Sequence, residues 1–400
     1  EISLGLVGSE MCIRDSRYCG VCGSDIGIYL GTHPRAKAPL VFGHEFLGVV
    51  AEDGKKFKKG DRVVAYPLLS CGHCRACRTG SAHVCNTLGL IGIDVDGGMC
   101  EELYVDEDVL FKVPDGVSDR AAVVTEPLAV ILRAVHQAEF KARDVAVVIG
   151  AGPIGMLTGI VLKNIGAAKV FISDVAEKRL AIAEELGLTP VNVAKENLNE
   201  VVKAATGGEG CDVLFECSGS AQGAMDMTEI TRVSGTICMV SVHKKPHEVN
   251  LQQLNFKEQW MIGTRVYTKE EFGQAVEYTK DLQEQLEKVV THIVPMKDAE
   301  PVSYTHLRAH ETEAARIFNS VRRSGAAWRR FGEIRRQEAE NMEILVLEAS
   351  TTSAKAMLYH TEDRSFEVKV RAYTGNYEDV TIHNAENVYL DMVSVGRELL

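Results

Sequence analysis

The sequence has no run of about 18 uncharged apolar residues, and no basic N-terminal stretch leads into a long apolar one, so neither a membrane span nor a signal peptide is expected. Excess positive charge is missing too. Lys and Arg number 44 against 56 Asp and Glu, and the net charge of −12 argues against a general phosphate-backbone role while leaving small-molecule partners open. Aromatic residues are only 6% of the chain, and the one basic stretch, around 316–336, has little aromatic interleaving, so no nucleic-acid partner is expected. What remains is an ordinary soluble composition, 46% hydrophobic and 25% charged over 400 residues. That length predicts two or three domains, and a reducing, cytoplasmic setting is the default.

Cysteine is plentiful and unevenly placed. Of 11 cysteines, four crowd into CGHCRACRTGSAHVC as Cys71, Cys74, Cys77 and Cys85, a C-x2-C-x2-C-x7-C spacing that suits metal ligation better than a disulfide framework. Four thiolates closing one tetrahedron point to structural zinc; an iron–sulfur cluster would accept the same donors, but no second cysteine group accompanies it. Upstream, CGVCGSD (19–25) and GHE (43–45) offer Cys22, His44 and Glu45, one soft and two harder ligands that suit a catalytic zinc with a position left open. Gly20 and Gly23 would permit a sharp turn beside Cys22, and Gly43 a close approach beside His44. Ser24 and Asp25 are placed to relay a proton and hold the site. In VVTEPLAV (123–130), Glu126 precedes a proline that can start a helix, which would aim the carboxylate into a cleft between domains.

Residues 145–187 read as strand, tight turn, helix, strand and acid. Val145–Ile149 form a dense apolar run, Gly150, Gly152 and Gly155 spell G-x-G-x-x-G, and KVFIS ends just before Asp174, 24 residues beyond the first glycine. Dinucleotide binding follows: Gly150 makes the turn, Gly152 lets the backbone approach the pyrophosphate, and Gly155 lets helix and strand pack closely. Asp174 can accept from a ribose 2′-hydroxyl but would repel a 2′-phosphate, so NAD is expected over NADP, with Arg179 covering the adenosine side. The sheet continues through 211–219 and 235–241, and Asn255–Thr264 with a helix from Glu270 complete the layer. Cys211, Cys217 and Cys238 read as core residues.

Together, GHE, the four-cysteine lobe, TEPLAV, GAGPIG with Asp174, and IGTRVYT resemble the zinc-dependent medium-chain alcohol/polyol dehydrogenases, nearest their sorbitol, butanediol and threonine dehydrogenase branches, over about residues 17–299. The resemblance implies an α/β chain: a mainly-β, GroES-like catalytic domain split around a Rossmann domain with a doubly wound parallel sheet, assembled as a homodimer or homotetramer. It implies two zinc ions, catalytic at Cys22, His44 and Glu45, with Glu126 as ligand or partner of the zinc-bound water, and structural at the four cysteines. Ser24, Glu45 and Glu126 carry the catalytic roles. Coenzyme contacts fall on Gly150, Gly152, Pro153, Ile154, Gly155, Asp174, Arg179, Ser218, Gly263, Thr264 and Arg265. The implied reaction moves a hydride from a secondary alcohol of a polyol or diol to NAD+; the alternatives are L-threonine 3-dehydrogenase-like or simple alcohol dehydrogenase activity, and an inactive chimera that only binds zinc and nucleotide. One position departs from the family: Gly27 stands where many relatives carry a relay histidine.

The two ends depart further. LVGSEMCIRDS (6–16) and VSYTHLRAHET (302–312) do not continue the family, and both are encodable on opposite strands of one nucleotide sequence that resembles a sequencing adapter. Cys12, His306 and His310 are therefore given no role. Residues 342–400 resemble the N-terminal fragment of an FGGY carbohydrate kinase, with Ser350, Thr351, Thr352 and Lys355 matching its phosphate turn and Glu348 where aspartate is usual. The expected division is an artefactual 1–16, a catalytic domain 17–128, a Rossmann domain 129–275, the start of a return to the catalytic domain 276–301, an artefactual or intergenic 302–341, and the kinase fragment 342–400.

Overall fold

The computed structural model describes residues 10–295, together with the backbone of three strands within 343–372. In chain order the first lobe comprises β1 (Glu10–Gly20), α1 (Gly23–Tyr29), β2 (Glu45–Val50), β3 (Arg62–Ala65), β4 (Leu68–Leu69), α2 (Arg75–Arg78), β5 (Gly89–Leu90), β6 (Glu102–Asp106), β7 (Leu110–Lys112), α3 (Asp119–Ala122) and α4 (Thr125–Gln137). Five of these strands form an antiparallel sheet in the order β6-β1-β2-β3-β7. The short β4–β5 hairpin brackets the four-cysteine loop.

The second lobe alternates strand and helix: β8 (Val145–Ile149), α5 (Pro153–Ile165), β9 (Lys169–Asp174), α6 (Glu177–Glu185), β10 (Thr189–Asn192), α7 (Leu198–Ala205), β11 (Cys211–Glu216), α8 (Ala221–Ile230), β12 (Thr231–Met239), α9 (Leu251–Phe256), β13 (Trp260–Gly263), α10 (Lys269–Asp281) and α11 (Gln283–Val289). All six strands are parallel, in the order β10-β9-β8-β11-β12-β13. Runs such as Val145–Ile149 are apolar throughout because helices cover both faces. The strand order reverses between β8 and β11, which opens a crevice at their C-terminal ends. One apolar core joins the lobes, running from Leu47 and Val64 of the first sheet through Leu128 and Ile131 of α4 to Val148 and Leu157.

Several expected boundaries do not coincide with structural breaks. The cut at 128/129 falls inside α4 and that at 275/276 inside α10, because each helix serves both lobes. α11 also returns to the first lobe, where Ser118 N–H donates to Gln283 Oε1 (2.7 Å) and Ser118 Oγ–H to Glu287. The join at 16/17 lies inside β1, whose residues 10–14 pair with β6 and whose Ile13 is 1% exposed. Strand pairing uses backbone groups that every residue carries, and the inner face asks only for an apolar residue, here Ile13. β12 begins at Thr231 and stops before Val240, rather than spanning 235–241, because the Val240 and Ser241 N–H groups both turn to Glu216 O (3.0 Å each). Asn255 lies in α9, so the last parallel strand is confined to Trp260–Gly263.

Residues 299–400 form a separate unit, described only as the antiparallel sheet β14 (Glu343–Ala349), β15 (Ser353–His360) and β16 (Ser365–Ala372). The strand-like runs expected at 344–348 and 356–359 lie in β14 and β15; Ser350–Thr352, residues 6–9 and the 302–341 segment with His306 and His310 lie outside the described residues. Among the described residues, no helix is long and apolar enough to cross a membrane.

Candidate active site and metal centres

The four expected cysteines converge. Their Sγ atoms all lie within 4.8 Å of one another, with Cys74–Cys77 at 3.5 Å and Cys71–Cys77 and Cys74–Cys85 at 3.9 Å. A zinc tetrahedron with Zn–S bonds near 2.3 Å has edges of about 3.8 Å, so the donor set fits that ion. Backbone N–H groups are already turned toward sulfur, from Cys71 and Thr87 to Cys85 and from Cys74 to Cys71. The Cys71 N–H contributes most to lowering the Cys85 thiol to about 6, the direction a thiolate ligand needs.

The second cluster joins the start of α1 to the entry of β2. One donor atom each from Cys22, His44 and Glu45 lies within 4.8 Å of the others, and His44 is buried. Gly43 has φ +101°, and a Cβ there would stand 2.6 Å from Cys19 Sγ, so only glycine lets the chain bring His44 in. A Cβ on Gly20 would lie 2.2 Å from Glu45 Oε2; its role is to make room for the carboxylate. Gly23, expected to be needed for a turn, is crowded by nothing and has no left-handed φ.

Asp25 ties this cluster together. Its Oδ2 accepts from Cys22 N–H (2.8 Å) at the N-terminus of α1, while Oδ1 stands 3.5 Å from His44 Nδ1. The imidazole thereby turns Nε2 toward Glu45, the orientation that a carboxylate behind a histidine ligand enforces. Ser24 Oγ–H donates to Cys22 Sγ at 3.1 Å. Burial opposes a charge on His44, but Asp25, Cys22 and Glu126 outweigh it and raise its pKa to about 12. Glu45 is pushed up to about 8, first by burial and then by the charge of Glu126. Three donor atoms converging within 4.8 Å around a buried histidine suit a cation, and a cysteine, a histidine and a carboxylate suit zinc.

Glu126, in the first turn of α4, faces the same cluster but is outside the three-donor set; burial is the main cause raising its pKa. Its hydrogen-bond donor is Tyr267, whose hydroxyl donates to Oε1 at 2.6 Å. No sequence signal links these two, 141 positions apart. Gly27 sits where the nearest atoms to a Cβ would be Thr32 Oγ1 (3.6 Å), His33 Cβ (3.8 Å) and His33 N (4.0 Å), ordinary contacts that leave room for a side chain.

The expected dinucleotide residues line the reversal of strand order. Gly150, φ +102°, ends β8 within reach of Ser218 just after β11; a Cβ on it would be 3.1 Å from Ser218, and one on Gly155 only 1.8 Å from Gly150 O. Gly152 precedes Pro153 and Ile154 at the N-terminus of α5 with open space before it, the room a pyrophosphate needs. Asp174 accepts from Ala151, Val175 and Ala176 N–H groups at 2.8–2.9 Å, and Arg179 Nη1 stands 3.4 Å away. Gly263 closes β13; Thr264 carries a buried Oγ1 without a partner, and Arg265 is exposed. An open cradle at a helix N-terminus and an orphaned hydroxyl fit a nicotinamide dinucleotide.

Sequence reasoning missed Glu216. Fully buried at the end of β11, it accepts from Ser218 N–H (3.0 Å) and Oγ–H (2.5 Å), from Gly219 N–H and from Ser241, and faces His243 Nε2 at 3.1 Å. A lone acid between Phe215 and Cys217 was the available signal.

Two family models match the chain: an alcohol dehydrogenase GroES-like domain over residues 9–115 and a zinc-binding dehydrogenase domain over 153–281. A 2-dehydro-3-deoxy-L-galactonate 5-dehydrogenase of Pseudoalteromonas atlantica is 36% identical over 288 residues, covering 71% of this chain and 84% of that protein. L-threonine 3-dehydrogenase of Escherichia coli K12 is 36% identical over 283 residues, covering 68% and 81%. The crystal structure of 2R,3R-butanediol dehydrogenase from Bacillus subtilis superposes with a TM-score of 0.63 at 30% identity, covering 71% and 90%.

Proposed function

The chain belongs to the zinc-dependent medium-chain dehydrogenase/reductase family, and from that premise we propose that it oxidises a secondary hydroxyl of a small polar substrate, passing hydride to NAD+ to give a ketone. The observation carrying this reading is the convergence of Cys22, His44 and Glu45 around a buried histidine, three donors among the described residues with a fourth position left for substrate. Bound zinc would polarise the alcohol oxygen and bound NAD+ would accept the hydride. Ser24 Oγ, beside Cys22, accepts the hydroxyl proton and passes it to water, coenzyme ribose or another side chain, since Gly27 offers none. Asp25 keeps His44 aimed, Glu126 serves as ligand or as partner of the bound water, and the four cysteines hold a second, structural zinc. Asp174 favours NAD over NADP because its carboxylate, already facing Ala151, would repel a 2′-phosphate.

On substrate, the sequence motifs put a polyol or diol first. The relatives named for L-threonine favour the alternative, L-threonine 3-dehydrogenase-like or simple alcohol dehydrogenase activity. We place that alternative ahead, in a cytoplasmic dimer or tetramer. The adapter origin of 6–16 and 302–312 and the kinase-fragment origin of 342–400 rest on sequence alone, and nucleotide reads across both joins test them.

The test is zinc content and NADH formation by the full chain with L-threonine, sugar acids, butanediol and polyols. Two zinc ions per chain with turnover of an acid or diol are expected. Zinc and NAD binding with no turnover of any alcohol would replace this reading with that of an inactive chimera.

A further inference from the structure

Whether Glu126 reaches the first metal or stops short of it decides what the site can do. Cys22, His44, Glu45 and Glu126 together would close a tetrahedron, whereas the first three alone leave a position for substrate. Glu126 is outside the three-donor set, although it is buried and its charge acts on both His44 and Glu45. Tyr267 is the residue that holds it. The phenol is 0% exposed, arrives from the loop between β13 and α10, and donates to Glu126 Oε1 at 2.6 Å. Its ring cannot swing away: Tyr66 packs against it edge-on at 5.9 Å and Phe272 at 5.6 Å, and Tyr66 and Phe272 are themselves 5.7 Å apart. The next residue, Thr268, is fixed as the cap of α10 by reciprocal bonds with Glu271.

We propose that Tyr267 is a positioning residue, pinning one oxygen of Glu126 so that this carboxylate stays out of the metal's ligand set and the fourth position remains open to substrate. The inference rests on the functional reading above. Removing only the hydroxyl frees Glu126 to join Cys22, His44 and Glu45 as a fourth ligand.

The test uses the full chain carrying zinc at the four-cysteine site and cobalt(II) at the other. The visible absorption bands of cobalt report its ligand set. Tyr267→Phe is expected to shift those bands, and Tyr267→Phe combined with Glu126→Gln to return them to the wild-type positions. Unchanged bands in Tyr267→Phe would overturn the inference. Should that variant not fold, Glu126→Gln with Tyr267 intact decides: unaltered bands are expected because Glu126 is no ligand, and altered bands overturn the proposal. If the wild-type chain takes up no metal at Cys22, the functional reading fails and this inference with it, an outcome distinct from unchanged bands.

Discussion

Asp25 performs two tasks with one carboxylate, capping α1 through Cys22 N–H and backing His44 Nδ1. Asp25→Asn keeps an oxygen for the cap but removes the charge behind the imidazole. It is expected to weaken metal retention at the first site by about 10–100-fold, with the four-cysteine site unaffected, measured by competition with a chelator. At this scale the sequence was informative where ligands sit a few positions apart: Cys71 to Cys85, or His44 beside Glu45. It was silent on Tyr267, because a hydrogen bond between residues 141 positions apart leaves no local pattern. Glu216 was visible only as an acid in an apolar strand, and its accommodation by five groups of Ser218, Gly219, Ser241 and His243 depends on two loops meeting.

Elements meet at two tight places. At the start of α5, Gly155 lies so close to Gly150 O that any Cβ must push helix from strand. Gly155→Ala is expected to cost about 1–3 kcal/mol and to abolish nucleotide-dependent stabilisation, read as the loss of the Tm rise that NAD gives the wild type. Between α4 and α10, Glu271 accepts from Thr268 N–H and Oγ–H and faces His136 Nδ1 at 3.1 Å and Arg133 Nη1 at 3.4 Å. Burial works against its charge, but these partners outweigh burial and hold its carboxyl below the usual carboxylate range. A lowered folded-state pKa stabilises above the unfolded value and loses that contribution as pH falls through the folded one. The Tm gap between wild type and Glu271→Gln should therefore be widest near neutral pH and close in acid; a gap that widened on acidification would contradict this. Strand and helix order in the second lobe was legible because continuous apolar runs and a glycine turn are local signals. The element boundaries at 128/129 and 275/276 were not, since a helix that serves two lobes carries apolar residues for both.

For the whole molecule, the first lobe depends on β1, which lies between β2 and β6. In its outer half, Ile13 is buried among Phe46, Val63 and Leu103. Ile13→Asp is expected to destabilise the lobe by about 3 kcal/mol, seen as a lower denaturation midpoint and easier loss of first-site metal. No change would mean that the strand is dispensable to this sheet.

The sequence by itself determined the chemistry available: four thiols at knuckle spacing, a mixed Cys, His and Glu set, and a glycine-rich turn with its distant acid, all of which are short-range patterns set by covalent spacing. Tertiary structure alone decided how that chemistry is arranged. It placed Asp25 behind His44, set Tyr267 against Glu126, drew Ser218 up to Gly150 and slotted residues 10–16 into a sheet. Those contacts join distant segments through packing and strand pairing, and neither force leaves a mark on neighbouring residues in the chain.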